Sequence, residues 1–257
     1  MKPLIVNNTV IGKGVPKICV PIVGATAEEV LQDYQTAAAE GPDLIEWRAD
    51  CLDDYKNENL LIDILHAMRE GNSDVTILFT LRTEDEGGKA AVTDEEYQQL
   101  NQAVIRSGFA DMIDVESSRA KKVKEHLLQN AHLHSMPVIM SKHYFESTPD
   151  DQTLKEVVAQ MAETSADIYK LAVMPKDNED VVRLLLLTEW FTREYPHDPI
   201  VTVSMSGLGL ISRISGEVSG SAITFASASK ASAPGQIDFK EMKDMLDKVH
   251  QGMMEVK

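Results

Sequence analysis

The sequence predicts an α/β protein, a closed (β/α)8 TIM barrel of parallel strands each followed by a helix. Three observations predict it. From residue 17 onward, β-rich apolar runs alternate with amphipathic helical stretches, at spacings of roughly 25–30 residues. The runs are continuously apolar, as a parallel sheet covered on both faces requires. Eight such units fill the 257-residue chain, the usual size of this barrel. An open doubly wound sheet is the competing architecture. It usually carries a glycine-rich phosphate turn after its first strand, and Gly24-Ala25-Thr26 has no such fingerprint. The expectation is a single barrel domain over residues 1–257.

The elements follow in order. Residues 3–11 read as a hairpin around Asn7-Asn8, placed to close the bottom of the barrel before the first barrel strand. The barrel strands are expected at 17–23, 44–48, 75–81, 112–115, 137–140, 168–174, 200–205 and 222–226. Helices are expected at 26–40, with Thr26 as N-cap, Glu28 and Glu29 in the first turn and Gly41-Pro42 as the stop. They follow at 57–70, at 93–107 with Thr93 as cap and Gly108 beyond, and at 118–130, 150–164, 178–194, 209–214 and 238–251. The run Val181 to Leu187 gives its helix the wide apolar face needed to cover a sheet.

Composition excludes several function classes. The net charge of −16, from 41 acidic and 25 basic residues, argues against binding nucleic acid or an anionic membrane through bulk charge. A few arginines in a cleft could still hold a small carboxylate. Cys19 and Cys51 form no disulfide framework, and no Cys and His spacing suits a metal. There is no secretory leader pattern and no run of membrane-spanning length, so a cytoplasmic protein is expected.

In such a barrel the active site lies at the C-terminal ends of the strands. Those ends carry Glu46, Arg48 and Asp50; Arg82 and the loop residues 84–88; Asp114 and Glu116; Ser141, Lys142 and His143; Lys170; Ser212 and Arg213; and Ser229 to Gln236. Lys170 sits inside the strand Ile168 to Met174. Burying a charged ammonium is costly, and a desolvated amine is a nucleophile able to form a Schiff base with a ketone. The ordinary alternative is a strand-edge lysine whose head reaches water. Each neighbour has its own ordinary reading: a surface arginine, a structural histidine, a solvated acidic loop at Glu84 and Asp85, a solvent-facing Lys142. Convergence of a lysine, a histidine, acids and arginines on one rim favours a Schiff-base enzyme acting on a keto acid. Aldol cleavage and elimination of water both fit these residue types.

The chain then resembles a known family, type I 3-dehydroquinate dehydratase of the shikimate pathway. The resemblance rests on motifs in order: Glu46-Trp47-Arg48 with Asp50, residues 79–82 with Glu86-Gly87-Gly88, residues 112–116, Ser141-Lys142-His143-Tyr144-Phe145 with Thr148-Pro149, residues 170–175, Ile211-Ser212-Arg213, and residues 231–236. It implies syn elimination of water from 3-dehydroquinate to 3-dehydroshikimate, in aromatic amino acid biosynthesis. It implies that Lys170 forms the imine, His143 is the general acid and base, and Glu86 orients His143. It further implies that Arg213 pairs with the substrate carboxylate, helped by Ser232 and Gln236, while Glu46, Arg48 and Arg82 hold ring hydroxyls and position neighbouring groups. No metal or organic cofactor is implied, and a homodimer is expected, with no nucleic-acid or membrane partner. Where the family often has a serine, this chain has Pro21, so that substrate contact would be lost or taken over by a backbone carbonyl. The loop 205–209 also departs from the alanine-lysine version of some relatives. A class I aldolase-like lyase and a non-catalytic metabolite-binding barrel are the competing functions. The serine-, alanine- and glycine-rich stretch Ser227 to Gln236 is expected to close over the substrate.

Overall fold

The computed structural model describes residues 3–71, 74–228 and 235–255. Eleven strands and nine α-helices follow one another among them. The hairpin is β1 (Leu4–Val6) and β2 (Thr9–Ile11), antiparallel, with Asn7 in the left-handed region at φ 50°. The barrel strands are β3 (Lys17–Ile22), β4 (Leu44–Arg48), β5 (Thr76–Thr80), β6 (Met112–Glu116), β7 (Val138–Tyr144), β8 (Ile168–Val173), β9 (Ile200–Ser204) and β10 (Ile223–Ser227). Each is parallel to the next, and β10 returns beside β3. Between β9 and β10 the joint is a single bridge, Ile200 to Ser221, with Ala222 N–H donating to Ile200 O at 2.8 Å. The expected barrel is therefore present. A two-residue strand, β11 (Ile237–Asp238), adds to β10 beyond the expected set.

The helices are α1 (Ala27–Glu40), α2 (Glu58–Gly71), α3 (Asp94–Ser107), α4 (Lys121–Leu133), α5 (Asp151–Ala162), α6 (Asn178–Glu194), α7 (Ile211–Ile214), α8 (Gly216–Ser219) and α9 (Phe239–Glu255). Local sequence sets several ends. Thr26 caps α1 by accepting from Glu29 N–H, and Gly41 ends it at φ 75°. Thr93 and Glu96 form a reciprocal capping box on α3. Two boundaries differ materially from expectation, and the first is that α4 starts at Lys121, not at 118. Arg119 N–H instead closes a turn onto Glu116 O, and the Arg119 side chain is drawn to Glu116, Asp85 and Asp94. Strand β7 also runs to Tyr144 instead of stopping at 140, which keeps His143 on a strand. No helix among the described residues is long and apolar enough to cross a membrane.

Side chains alternate along each strand, and two apolar clusters result. One lies between sheet and helices and includes Trp47, Phe79, Tyr169 and Leu171. The other fills the barrel interior with Cys19, Leu44, Leu78, Met112, Ile139, Ile168, Val201 and Ile223, near the N-terminal ends of their strands. Val6 and Ile11 of the hairpin belong to this interior cluster. Thr9 and Thr76 share a 3.1 Å hydroxyl contact that seats the hairpin against the start of β5. The hairpin thus stops the bottom of the barrel, as expected. Ile11 is fully buried. Ile11→Ala is therefore expected to cost about 2–5 kcal/mol of stability, read as a lowered urea midpoint with an unchanged slope. A cost below about 1 kcal/mol would show that the hairpin is not part of the core.

Candidate active site

The same two-residue period builds the site one layer above the apolar interior. On β8, Ile168 and Ala172 belong to the interior cluster, so Lys170 between them points inward too. By the same parity, Leu44 is followed inward by Glu46 and Arg48, Met112 by Asp114 and Glu116, and Ile139 by Ser141 and His143. On β10, Ile223 is followed by Phe225. A polar layer therefore sits on an apolar one at the C-terminal mouth.

Lys170 is 6% exposed. Its Nζ lies 3.6 Å from Glu46 Oε1 and 4.2 Å from the Phe225 ring centre. Glu46 also accepts from Thr80 Oγ1 at 2.9 Å. Arg82 is buried among acids: Nη2 is 2.8 Å from Asp114 Oδ2 and Nη1 is 3.1 Å from Glu116 Oε1. Its Nη1 donates to Ser141 Oγ at 2.9 Å. Arg48 makes a two-pronged pair with Asp50, both contacts at 2.8 Å.

His143 is positioned by Glu86, which is fully buried. Glu86 Oε2 is 3.0 Å from His143 Nδ1 and accepts the His143 backbone N–H at 3.1 Å. Strand β6 supplies the reason. Its pairing with β7 ends at Glu116 opposite Ser141, so the next β7 amide on the β6 side, that of His143, has no strand partner and donates to Glu86 instead. A carboxylate only accepts, so Nδ1 carries the proton and Nε2 is left bare. Burial, then the positive charges of Arg82 and Lys170, hold the imidazole pKa well below its ordinary value, against an opposing pull from Asp114. The loop that delivers Glu86 depends on two glycines. Gly87 has φ 76°, and a Cβ there would lie 2.2 Å from the Phe145 ring; one on Gly88 would lie 2.0 Å from Arg82 O.

A cavity of about 700 Å³, its open mouth included, is lined by both Lys170 and His143, by Glu46, Arg48, Arg82 and Glu86, and by Arg213 and Gln236. Arg213, on α7, is 2% exposed, and burial draws its pKa down to about 10, so it remains a cation at neutral pH. Phe145, Val203, Met205 and Phe225 supply apolar wall. The arrangement offers an amine, an imidazole with one bare nitrogen, and a buried guanidinium facing one chamber. Among the described residues no cluster could hold a metal ion.

The structure brings together Lys170, His143, Glu86, Glu46, Arg48, Arg82, Arg213 and Gln236. Pro21 is buried on β3 opposite Glu46 but is not among the residues lining the cavity. Ser232, and with it most of the stretch Ser227 to Gln236, lies outside the described residues. Glu84 and Asp85 are exposed, as a solvated loop requires. Lys142 departs from the solvent-facing reading: it is half-buried, with Nζ 3.1 Å from Glu86 Oε1. Asp114 and Ser141 fall in the site layer, as their strand-end positions predict, and strand parity could also have assigned Phe225 to it. Ser118, which donates to Glu86 Oε1 from the turn before α4, carries no such signal.

Comparison with known proteins agrees with this fold. The model of the type I 3-dehydroquinase family matches residues 18–253. A 3-dehydroquinate dehydratase of Listeria welshimeri is 41% identical over 250 residues, covering 97% of this chain and 99% of that protein. A crystal structure of a type I 3-dehydroquinate dehydratase from Clostridium difficile, carrying covalently modified comenic acid, has TM-score 0.95 and 38% identity, covering 98% of this chain and 100% of that one. The dehydratase from Geobacillus kaustophilus has TM-score 0.94 and 36% identity, with 97% of each chain covered. Fold and relatives together define a barrel enzyme of the hydro-lyase class, a dehydratase. The chain belongs to the type I 3-dehydroquinase family.

Proposed function

We propose that this enzyme removes water from 3-dehydroquinate to give 3-dehydroshikimate, through a Schiff base on Lys170, in the shikimate pathway. The observation that carries the reading is the placement of the Lys170 amine and the His143 imidazole on one cavity with the Arg213 cation. The Lys170 amine adds to the substrate ketone, and His143 passes protons as the carbinolamine forms and loses water. The resulting iminium withdraws electrons from the adjacent carbon. His143 Nε2 removes a proton there, leaving an enamine. The enamine electrons expel the neighbouring hydroxyl, which leaves as water with the proton His143 has just taken. Hydrolysis of the conjugated iminium frees the enone and restores the amine. One imidazole serving both proton transfers fits a syn elimination, since it works from one face.

Arg213 holds the substrate carboxylate, helped by Gln236, and the family resemblance assigns the same task to Ser232. Glu46, Arg48 and Arg82 set the ring hydroxyls. Pro21 has no side-chain donor, so only its backbone carbonyl is available there. The reading needs no metal or organic cofactor, because the iminium is the electron sink. We place the enzyme in the cytoplasm with the rest of its pathway. We expect a homodimer, twofold assemblies being the commonest soluble oligomers. The test is direct. Incubation with 3-dehydroquinate should generate the ultraviolet absorbance of a conjugated enone. Cleavage to smaller carbonyl fragments, or no change in the substrate, would sink the reading.

A further inference from the structure

Glu86 is shared. Its Oε2 faces His143, by Nδ1 and by the backbone, while its Oε1 accepts from Ser118 Oγ and from Lys142 Nζ at 3.1 Å. Lys142 and His143 are adjacent on β7, so their side chains leave opposite faces of the strand. They meet the same carboxylate only because Glu86 sits on the strand's edge at the His143 amide, within reach from both sides. The Lys142 ammonium is further steadied 5.4 Å above the Tyr144 ring, on the helix-facing side. It is 21% exposed and therefore only partly screened by water. Nothing in the proposed proton transfers uses it.

We propose that Lys142 is a positioning residue that competes with His143 for the negative charge of Glu86, so that the imidazole stays neutral, with Nε2 bare, when substrate arrives. An imidazolium gains from a neighbouring carboxylate, and a second cation on that carboxylate reduces the gain. The other charged groups facing the pair are Arg82, which lies 3.9 Å from Glu86 Oε2, with Lys170, Arg48 and Asp114 around His143. Glu116 faces Arg82 and Glu86, and Lys124 of α4 faces Glu86 and Lys142. Arg82 is already committed to Asp114 and Glu116. Lys142 is the cation that bonds Glu86 directly, on the oxygen His143 does not use.

This inference rests on the proposed role of His143, and the test separates the two. Lys142→Gln keeps a hydrogen-bond donor but not the charge, Lys142→Met keeps only the stem, and Lys142→Arg keeps the charge. Nitrogen-15 NMR of the ligand-free protein follows His143 without reference to activity. In the Gln and Met variants its titration should move to higher pH by roughly 0.5–1 unit, the effect of one charge at an intermediate effective dielectric. The acidic limb of the pH–rate profile should move with it, with little change in KM, and Lys142→Arg should restore both. A His143 titration that stays in place or moves downward in the Gln and Met variants, with thermal unfolding showing them folded, would overturn the role of Lys142. A moved titration with an unmoved rate profile would overturn the role of His143 instead.

Discussion

Lys170→Ala is expected to abolish turnover, by on the order of 10⁴-fold or more, the scale seen when a nucleophile that carries a covalent route is removed. The ketone then has no amine to condense with, and among the described residues lining the chamber nothing else can serve as an electron sink. Arg213 and Arg48 are cations, but neither forms an iminium. The loss should be chemical and not structural. Glu46 loses a cation 3.6 Å away but keeps its hydrogen bond from Thr80, so the strand layer retains a partner for the buried acid. The measurement pairs steady-state rates with trapping. Borohydride added with 3-dehydroquinate to the parent protein should reduce the imine to a stable secondary amine, and peptide mass mapping should find it on Lys170. The alanine variant should show no adduct. Near-normal turnover in Lys170→Ala, or an adduct on another lysine, would refute the Schiff-base route.

His143→Ala should lower kcat by roughly 10²–10⁴-fold, the usual scale for general acid–base loss, or more, because the same imidazole serves several steps. A fall below about tenfold would count against His143. Imine formation should survive better than elimination, so the variant should accumulate adduct that still traps with borohydride. The pH profile follows from the environment of the ring. The imidazole must be neutral to take the substrate proton. Burial and the charges of Arg82 and Lys170 depress its pKa, so it remains neutral through pH 7. Activity is therefore expected to hold across neutral pH and to fall only as pH drops through the depressed value, below the ordinary histidine range near 6.5. An acidic limb above pH 7 in the parent protein would contradict the burial argument.

Much of this architecture is legible in the sequence. The boundaries of β4 and α3 were readable because propensity, caps and apolar pattern agreed there. The misplaced start of α4 shows the limit. Residues 118–120 have helix-compatible types, but the buried carboxylate of Glu116 and the half-buried one of Asp94 claim Arg119 and bend the chain first. The length of β7 was missed for a related reason. The apolar run that marks the strand stops at Met140, whereas backbone pairing with β8 continues through Tyr144 opposite Val173. The site layer followed from strand ends alone, but its internal wiring did not. That Arg82 spends two nitrogens on Asp114 and Glu116, and that Glu86 bonds two side chains of one strand, are facts of packing between segments far apart in sequence.

The hairpin beneath the barrel decides how molecules travel. With Val6 and Ile11 stopping the lower mouth and an apolar plug above them, the chamber is closed on the hairpin side. On the proposed function, substrate would come in past Phe145, Arg213 and Gln236, which line the cavity, and the enone would leave the same way. Each turnover is thus a queue of one: the next ketone waits until the last product has cleared the threshold. On the proposed function, product and substrate would contend for the same cation, so product held at Arg213 would delay the next turnover.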